Sequence, residues 1–371
     1  MKIMLKNKEL FFFLFIFLLI SLLTLSKNSL FIYKDLFYKQ IIWYLIGLFF
    51  IYIINKINIK KIYNMSFLFY FGCLILLLLL LFLGNKINGS KSWFSIGNIS
   101  IQPSEFMKIS LILFNSFIIH HFFKNREKIG TKKEFMLIIT LLLILILPSI
   151  FTFLQPDTGA VIGYFVITFS MLYISGINRK WFIFFLVLFL IILIFFLFLY
   201  FFEQNLFINI FGTNFFYRIE RVVNWQSKSG MQLNNSLISI GSSGLFGHGK
   251  IPLYFPESET DFVFTSFISI YGLLGGIFLI IVFLLFDLYI LKLIKKIRNK
   301  EDQYTLFGIV TLFVYHQIEE IGMTLGLLPI IGLTLPFISY GGSSIISSLI
   351  LIGILMNINK KRPISRSWLF R

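Results

Sequence analysis

Three carboxylates stand within five residues, at Glu257, Glu259 and Asp261, in the run Pro-Glu-Ser-Glu-Thr-Asp-Phe that precedes a long apolar stretch. Like charges this close raise one another's pKa, and so does partial burial beside a bilayer. That is how a carboxylate becomes a general base near neutral pH. The plainer reading is an acidic helix cap. A second constellation is Gln102-Pro103-Ser104-Glu105-Phe106-Met107-Lys108. Proline suits a first helical position, and glutamate favours the positive end of the helix. Glu105 and Lys108 are three apart and so share a helix face. Lys108 falls about a turn inside an apolar stretch, where an ionisable residue is a functional candidate by default, with Glu105 its natural partner. Asp157, in Gln155-Pro156-Asp157-Thr158-Gly159, is an N-cap by type, yet acids so near hydrocarbon are uncommon. Arg218 and Arg221 share one side of a helical turn. Two guanidiniums can grip a diphosphate through forked hydrogen bonds; the alternative is a surface pair with Glu220.

Other motifs carry less. The glycine-dense run Gly241 to Gly249 permits positive φ and close backbone approach, or is a bare turn. Gly341-Gly342-Ser343-Ser344 reads first as close packing of a membrane helix. His120, His121 and His316 make no metal set, and no Cys/His spacing suggests zinc. The single cysteine, Cys73, lies mid-helix and reads as packing.

Membrane helices must position these groups. Of the 371 residues 58% are hydrophobic and 13% charged, and 49 are Phe. Soluble domains carry about a quarter charged residues. Apolar runs long enough for a bilayer core recur throughout, and their backbone must be satisfied internally, so they are helices rather than a barrel. The pattern predicts an all-α polytopic membrane protein with about ten transmembrane helices, near 10–26, 38–54, 65–84, 103–123, 135–154, 158–176, 180–202, 262–290, 304–326 and 338–357. A net charge of +17 invites a nucleic-acid reading. The placement of the charges opposes it. Basic clusters at Lys56/Lys60/Lys61, Lys124 to Lys133, Lys292 to Lys300 and Lys360 to Arg371 fall on one side of the spans. That bias puts both termini in the cytoplasm and gives the charge a role in topology and contact with anionic lipid. Asp35, Glu105, Asp157, Glu203, Glu220, Glu257, Glu259, Asp261, Glu319 and Glu320 fall on the opposite side, which places the chemistry on the outer face.

The N-terminus resembles a signal peptide, but Thr24-Leu25-Ser26-Lys27 offers no small-x-small cleavage site, so it is kept as the first helix. The chain reads as one transmembrane domain over 1–371. One long extracytoplasmic loop, 203–261, joins helices seven and eight; its length, aromatics and arginines argue for order and function. A second outer loop, 85–102, carries Trp93, Lys91 and several glycines.

Six segments in this order resemble the SEDS family of RodA and FtsW, the cell-wall glycan polymerases. They are Gly89-Ser90-Lys91-Ser92-Trp93, Gln102-Pro103-Ser104-Glu105, Gln155 to Gly159, Gly241 to Gly249, Pro256 to Phe262, and Ile321-Gly322-Met323 through Leu335-Pro336 to Tyr340-Gly341-Gly342-Ser343. Each is moderately specific; together they span the chain. The short tails look more like RodA than FtsW.

The resemblance implies polymerisation of lipid II into β-1,4 glycan at the outer face of the bacterial cytoplasmic membrane, with release of undecaprenyl diphosphate. It implies a class B penicillin-binding protein (a transpeptidase) and elongation machinery as partners. Asp261 matches the family's essential aspartate, the general base for the acceptor hydroxyl. Glu105 and Lys108 match a polar pair in its central cavity. Lys108, Arg218 and Arg221 would hold the diphosphate, with Asp157, Glu257, Glu259, Trp93 and Lys91 beside it. An axial diphosphate donor giving a β-link implies inversion without a covalent sugar–enzyme intermediate. A divalent cation (Mg or Mn) or an arginine could take the leaving charge. The sequence departs from the family at Ser92 (Arg), Glu259 (basic or His), Ser269 and Ile270 (paired Glu), Glu320 (Asn) and His248 (Lys). Glu259 should therefore raise the pKa of Asp261, and Glu319 and Glu320 could replace the carboxylates lost at Ser269 and Ile270. A division-specific polymerase, a flippase for lipid-linked sugars and a non-catalytic scaffold for a penicillin-binding protein are the competing functions. A transporter should show paired repeats with interrupted helices, and none is visible; a scaffold has no need of Asp261.

Overall fold

The computed structural model describes residues 7–28, 35–87, 90–97, 99–124, 130–223, 230–250 and 256–360. The expected spans are all helical. They are α1 (Lys8–Asn28), α2 (Asp35–Lys56), α3 (Ile59–Leu83), α4 (Pro103–Phe122), α5 (Thr131–Leu154), α6 (Thr158–Ile174) and α7 (Lys180–Phe202), then α11 (Val263–Lys296), α12 (Lys300–Thr324) and α13 (Gly342–Lys360). Seven are long and apolar enough to cross a membrane. Of the other three, α6 is shorter, and α4 and α12 carry polar residues. The chain is a multi-pass membrane protein.

Two boundaries differ from expectation for local reasons. α3 begins at Ile59 rather than near 65, because the Asn58 side chain accepts from Lys60 N and caps it there. The last helix begins at Gly342 rather than near 338. Phe337 has φ 67°, and the backbone N of Leu335 donates to Ser339 Oγ, which closes a turn just before it.

Burial sorts the helices into centre and rim. α4 is buried around its whole circumference over its first four turns, as a helix enclosed by others must be. In α13, 83% of the central window is buried; in α7 only 6% is, so α7 meets lipid on nearly every face. α2 packs on α13, α3 on α4, and α6 and α11 on α12. The first segment is part of this core: Phe17 stacks on Phe337 with 5.1 Å between ring centroids, and Ser21 Oγ donates to Ile338 O at 2.9 Å.

Both loops contain regular structure among their described residues. The segment read as a loop over 85–102 forms β1 (Asn85–Ile87), β2 (Ser90–Ile96) and β3 (Ile99–Ile101), a small antiparallel sheet in the order β1-β2-β3 that adds to the all-α plan. Asn85 pairs with Trp93, and Phe94 with Ile101. The segment 203–261 contains α8 (Gln204–Phe211), α9 (Thr213–Val223) and α10 (Met231–Ser242). α8 and α9 close a separate aromatic cluster with the end of α7, around Leu199, Tyr200 and Phe207. α10 is tied to the bundle by Ser236 Oγ, which lies 2.6 Å from Thr265 Oγ1 and donates to Thr324 O at 2.8 Å.

α11 is two helices folded back on each other at Gly272 (φ 73°, ψ −174°). A Cβ on Gly276 would lie 2.8 Å from Ile268 Cγ1 and 3.7 Å from Phe264 Cζ, contacts a straight helix could not make. The break leaves backbone groups without helical partners. The glycine-dense run supplies them. His248 N and Gly249 N donate to the carbonyls of Ser269 and Ile270, and Leu273 N and Leu274 N donate to those of Gly244 and Leu245. The run is thus a docked segment and not a bare turn. Non-helical backbone at this depth survives only where protein satisfies it in this way.

A Cβ on Gly272 would stand 2.2 Å from Leu245 O, and one on Gly247 2.4 Å from Ile270 O, both at positive φ. G272A and G247A should each cost on the order of 3 kcal/mol or more, backbone strain added to backbone collision. G241A, with open space around it, should be neutral or stabilising by up to about 1 kcal/mol. Thermal melting of the detergent-solubilised protein reads all three.

Candidate active site

Three helix N-termini meet at one end of the bundle: α4, α6 and α11. Asp157 joins the first two. Its Oδ1 accepts from Ala160 N at 3.1 Å, so it does cap α6. Its Oδ2 accepts from Gln102 Nε2 at 2.8 Å and Ser104 Oγ at 2.9 Å. The cap therefore also fixes the start of α4, the helix that carries Glu105 and Lys108. Gln102 N in turn donates to Ser343 Oγ at 3.0 Å, which ties α13 to the same point.

One turn inside, Lys108 Nζ lies 2.7 Å from Glu105 Oε1, with the lysine 1% exposed. The other Glu105 oxygen accepts from Ser347 Oγ at 3.0 Å. A third partner was not legible in the sequence: His316 Nε2 is 3.0 Å from Lys108 Nζ. Nothing in the sequence pairs His316 with a residue 208 positions away. The only cue was that it stands one turn before Glu320. Gly163 of α6 faces the lysine stem, and a Cβ there would be in ordinary contact with it, 3.8 Å from Lys108 Cδ.

Asp261 sits in the turn Pro256–Phe262 that leads into α11. This turn is held from outside by the segment before α13. Tyr340 N donates to Glu259 O at 2.8 Å, and Ser339 Oγ donates to Thr260 O at 2.6 Å. From inside, Ser266 Oγ donates to Ser258 O at 2.6 Å. Thr260 Oγ1 donates to Glu257 Oε2 at 2.7 Å, which turns that carboxylate onto its own loop. Gly332 (φ 70°) lies against Asp261, its backbone so close that a Cβ would be 3.1 Å from Asp261 Oδ2. No hydrogen bond to the Asp261 carboxylate occurs among the described residues. Burial pushes Asp261 up to about 7, with Glu257 and Asp157 adding to the rise. The expected cause, Glu259, is not among these; its own carboxyl is raised by burial first and then by Glu257. Glu259 is two residues away, but it is Glu257 and Asp157 whose charges act on Asp261.

The remaining candidates divide. Glu320, fully buried on α12, accepts from Phe264 N at 3.0 Å and so caps the first turn of α11, well short of Ser269 and Ile270. Glu319 is buried beside it, with Oε1 unpaired among the described residues. Lys91 Nζ turns to Leu81 O at 3.4 Å, and Ser92 Oγ donates to Gln155 O at 3.0 Å. Trp93 is half-buried on β2. Arg218 and Arg221 lie on α9, as their spacing predicted; their side chains are outside the described residues. No three His, Cys, Asp or Glu side chains among the described residues come together as a metal would need.

A bundle of long apolar helices with a buried acid–base pair, and a carboxylate poised near neutrality at the helix ends, defines a polytopic membrane protein with a buried polar site. The family model for the FtsW, RodA and SpoVE proteins, described as "Cell cycle protein", matches residues 2–363. The chain belongs to this family, the SEDS proteins. It is 32% identical over 339 residues to the probable peptidoglycan glycosyltransferase FtsW of Coxiella burnetii, covering 87% of this chain and 86% of that one. It is 30% identical over 360 residues to the peptidoglycan glycosyltransferase MrdB of Helicobacter pylori, covering 94% and 88%. The rod shape determining protein RodA of Thermus thermophilus shares the fold with a TM-score of 0.69 at 21% identity, covering 95% and 96%. So does a solved chain described as "Structural coordination of polymerization and crosslinking by a peptidoglycan synthase complex", with a TM-score of 0.78 at 23% identity, covering 95% and 97%.

Removing one member of a buried ion pair strands the other and costs about 3–5 kcal/mol, whereas replacing both with apolar residues of like size is often neutral. E105A should therefore melt far below wild type, and E105L/K108M well above E105A. A double variant that melts as low as E105A would show that the charges are not compensating each other.

Proposed function

We propose that this protein is a peptidoglycan glycosyltransferase that polymerises lipid II into β-1,4 glycan strands and releases undecaprenyl diphosphate. The observation that carries the reading is Asp261: a carboxylate raised to about 7, free of hydrogen bonds among the described residues, and set at the helix ends above a buried lysine. Relatives named FtsW, MrdB and Stage V sporulation protein E support it, and a glycan-forming activity is what the first two names share.

In this reading Asp261 removes the proton from the acceptor sugar hydroxyl. The hydroxyl oxygen attacks the anomeric carbon of the donor. The bond from that carbon to the diphosphate oxygen breaks, with inversion, and the lipid diphosphate leaves with the electron pair. Its leaving charge needs cations. Lys108 supplies one from inside the bundle, and Arg218 and Arg221 on α9 are positioned by sequence to supply others. Asp157 and Glu257 shape the site by their charge on Asp261, and Glu105 keeps Lys108 in place. Glu259, Glu320, Trp93 and Lys91 remain as candidate contributors to substrate contact. A divalent cation (Mg or Mn) is assigned no step.

The polymerase would work in the bacterial cytoplasmic membrane with its site on the extracytoplasmic face, because the basic clusters mark the opposite end of the bundle as cytoplasmic. Its partner would be a class B penicillin-binding protein, whose transpeptidase activity cross-links the new strand. The RodA-like run Ile321 to Pro329 favours cell-wall elongation and shape control as the setting, with an FtsW-type role in division as the second reading.

Lipid II polymerisation by the purified protein with its cognate transpeptidase tests the reading. D261N should lose about 10²–10⁴ of the rate, the usual worth of a positioned base, while keeping wild-type melting behaviour. The base must be ionised to accept a proton. Wild-type rate should therefore rise as pH increases through about 7 and level off above it. A D261N variant as active as wild type would remove Asp261 from the mechanism.

A further inference from the structure

His316 contacts Lys108 on one ring edge and the backbone on the other. Its Nδ1 is 3.1 Å from Thr334 O, and its Nε2 is 3.0 Å from Lys108 Nζ. A carbonyl oxygen can only accept, so Nδ1 carries the hydrogen. An ammonium can only donate, so Nε2 presents its lone pair. The two neighbours thus fix a single ring tautomer. An ammonium has three N–H bonds. Glu105 takes one and His316 takes the second, which among the described residues leaves one donor in a direction set by the other two. The ring itself is pinned. Thr334 Oγ1 is 2.7 Å from Ser344 Oγ on α13, whose next turn supplies Ser347 to Glu105. Glu105, Lys108, His316, Thr334, Ser344 and Ser347 therefore form a closed circuit through α4, α12 and α13.

We propose that His316 is a positioning residue for substrate: it orients the Lys108 ammonium so that the third N–H is presented to the diphosphate of the lipid-linked sugar. This rests on the polymerase reading above and adds to it the residue that aims the cation. Glutamine keeps an acceptor for Lys108, because its carbonyl oxygen can stand where Nε2 does, and leucine offers none.

The donor and the released lipid both carry the diphosphate, and its charge grows as the lipid leaves, so the contact acts in binding and in the transition state. H316L should raise KM for lipid II about tenfold, the scale of one hydrogen bond to a charged group, and lower kcat as well. Inhibition by added undecaprenyl diphosphate should weaken by the same factor. H316Q should recover most of both losses. The same comparison in the D261N background, read as lipid II binding by native mass spectrometry, needs no turnover. There D261N should bind like wild type and D261N/H316L should bind about tenfold more weakly. Size-exclusion profiles establish that each variant is folded, and H316Q carries the test if H316L is not. Unchanged KM and product inhibition in H316L would overturn the proposal, as would H316Q binding no better than H316L. An active D261N would instead refute the assignment of the base, while the binding comparison still decided the role of His316.

Discussion

A charged lysine with almost no exposed surface is the constraint around which the bundle is organised. Its ammonium would be prohibitively costly in hydrocarbon without acceptors. The structure supplies a carboxylate one turn away on its own helix and an imidazole from a helix distant in sequence. Each acceptor then needs its own support. Ser347 holds the carboxylate and Thr334 holds the ring. Meeting the needs of one cation thus fixes the relative positions of α4, α12 and α13. The price of a single buried charge becomes the architecture of the centre.

The base depends on the same elements from the other side. α12 carries His316 and, one turn on, Glu320, which receives the N–H of Phe264 in the first turn of α11. The segment between α12 and α13 carries Thr334 and also clips the Asp261 turn through Ser339 and Tyr340. Cation and base are therefore referred to one helix and one connecting segment, and neither can shift without loading the other. Asp157 adds an electrostatic link, since it organises the N-terminus of the lysine's helix while its charge raises the pKa of Asp261. Fixed geometry of this kind is what a reaction with a leaving diphosphate and a weak nucleophile requires.

Much of this was legible in the residues. Long apolar runs gave the spans, because a bilayer permits little else. Glu105 and Lys108 were readable as a pair, because three residues on a helix is a local distance. The cap at Asp157 was local in the same way. What escaped the sequence was set by contacts between distant segments. His316 looked solitary because its partner belongs to another helix. Burial and Glu257 were legible as causes of the shift at Asp261, but Glu259 is not among them and Asp157 was missed, because nearness in sequence does not give side-chain direction: Thr260 holds Glu257 in the turn, and Asp157 arrives from α6. The sheet at β1 to β3 escaped because its strands are three to seven residues long and sit among glycines, too short for a periodic signal. The fold-back of α11 hid inside one continuous apolar run, marked only by Gly272 among other glycines.

The docking of the glycine run onto that fold-back is made of main-chain hydrogen bonds. Such bonds ask nothing of side chains beyond the absence of a Cβ at Gly247 and Gly272. The joint that keeps the first half of α11, which follows the base, in register is therefore almost free of sequence requirements. His248 contributes its N–H to the joint and leaves its ring exposed, so the departure from lysine at that position costs the joint nothing. A substitution at this position can change the chemistry displayed on the rim while the main-chain joint beneath stays as it was.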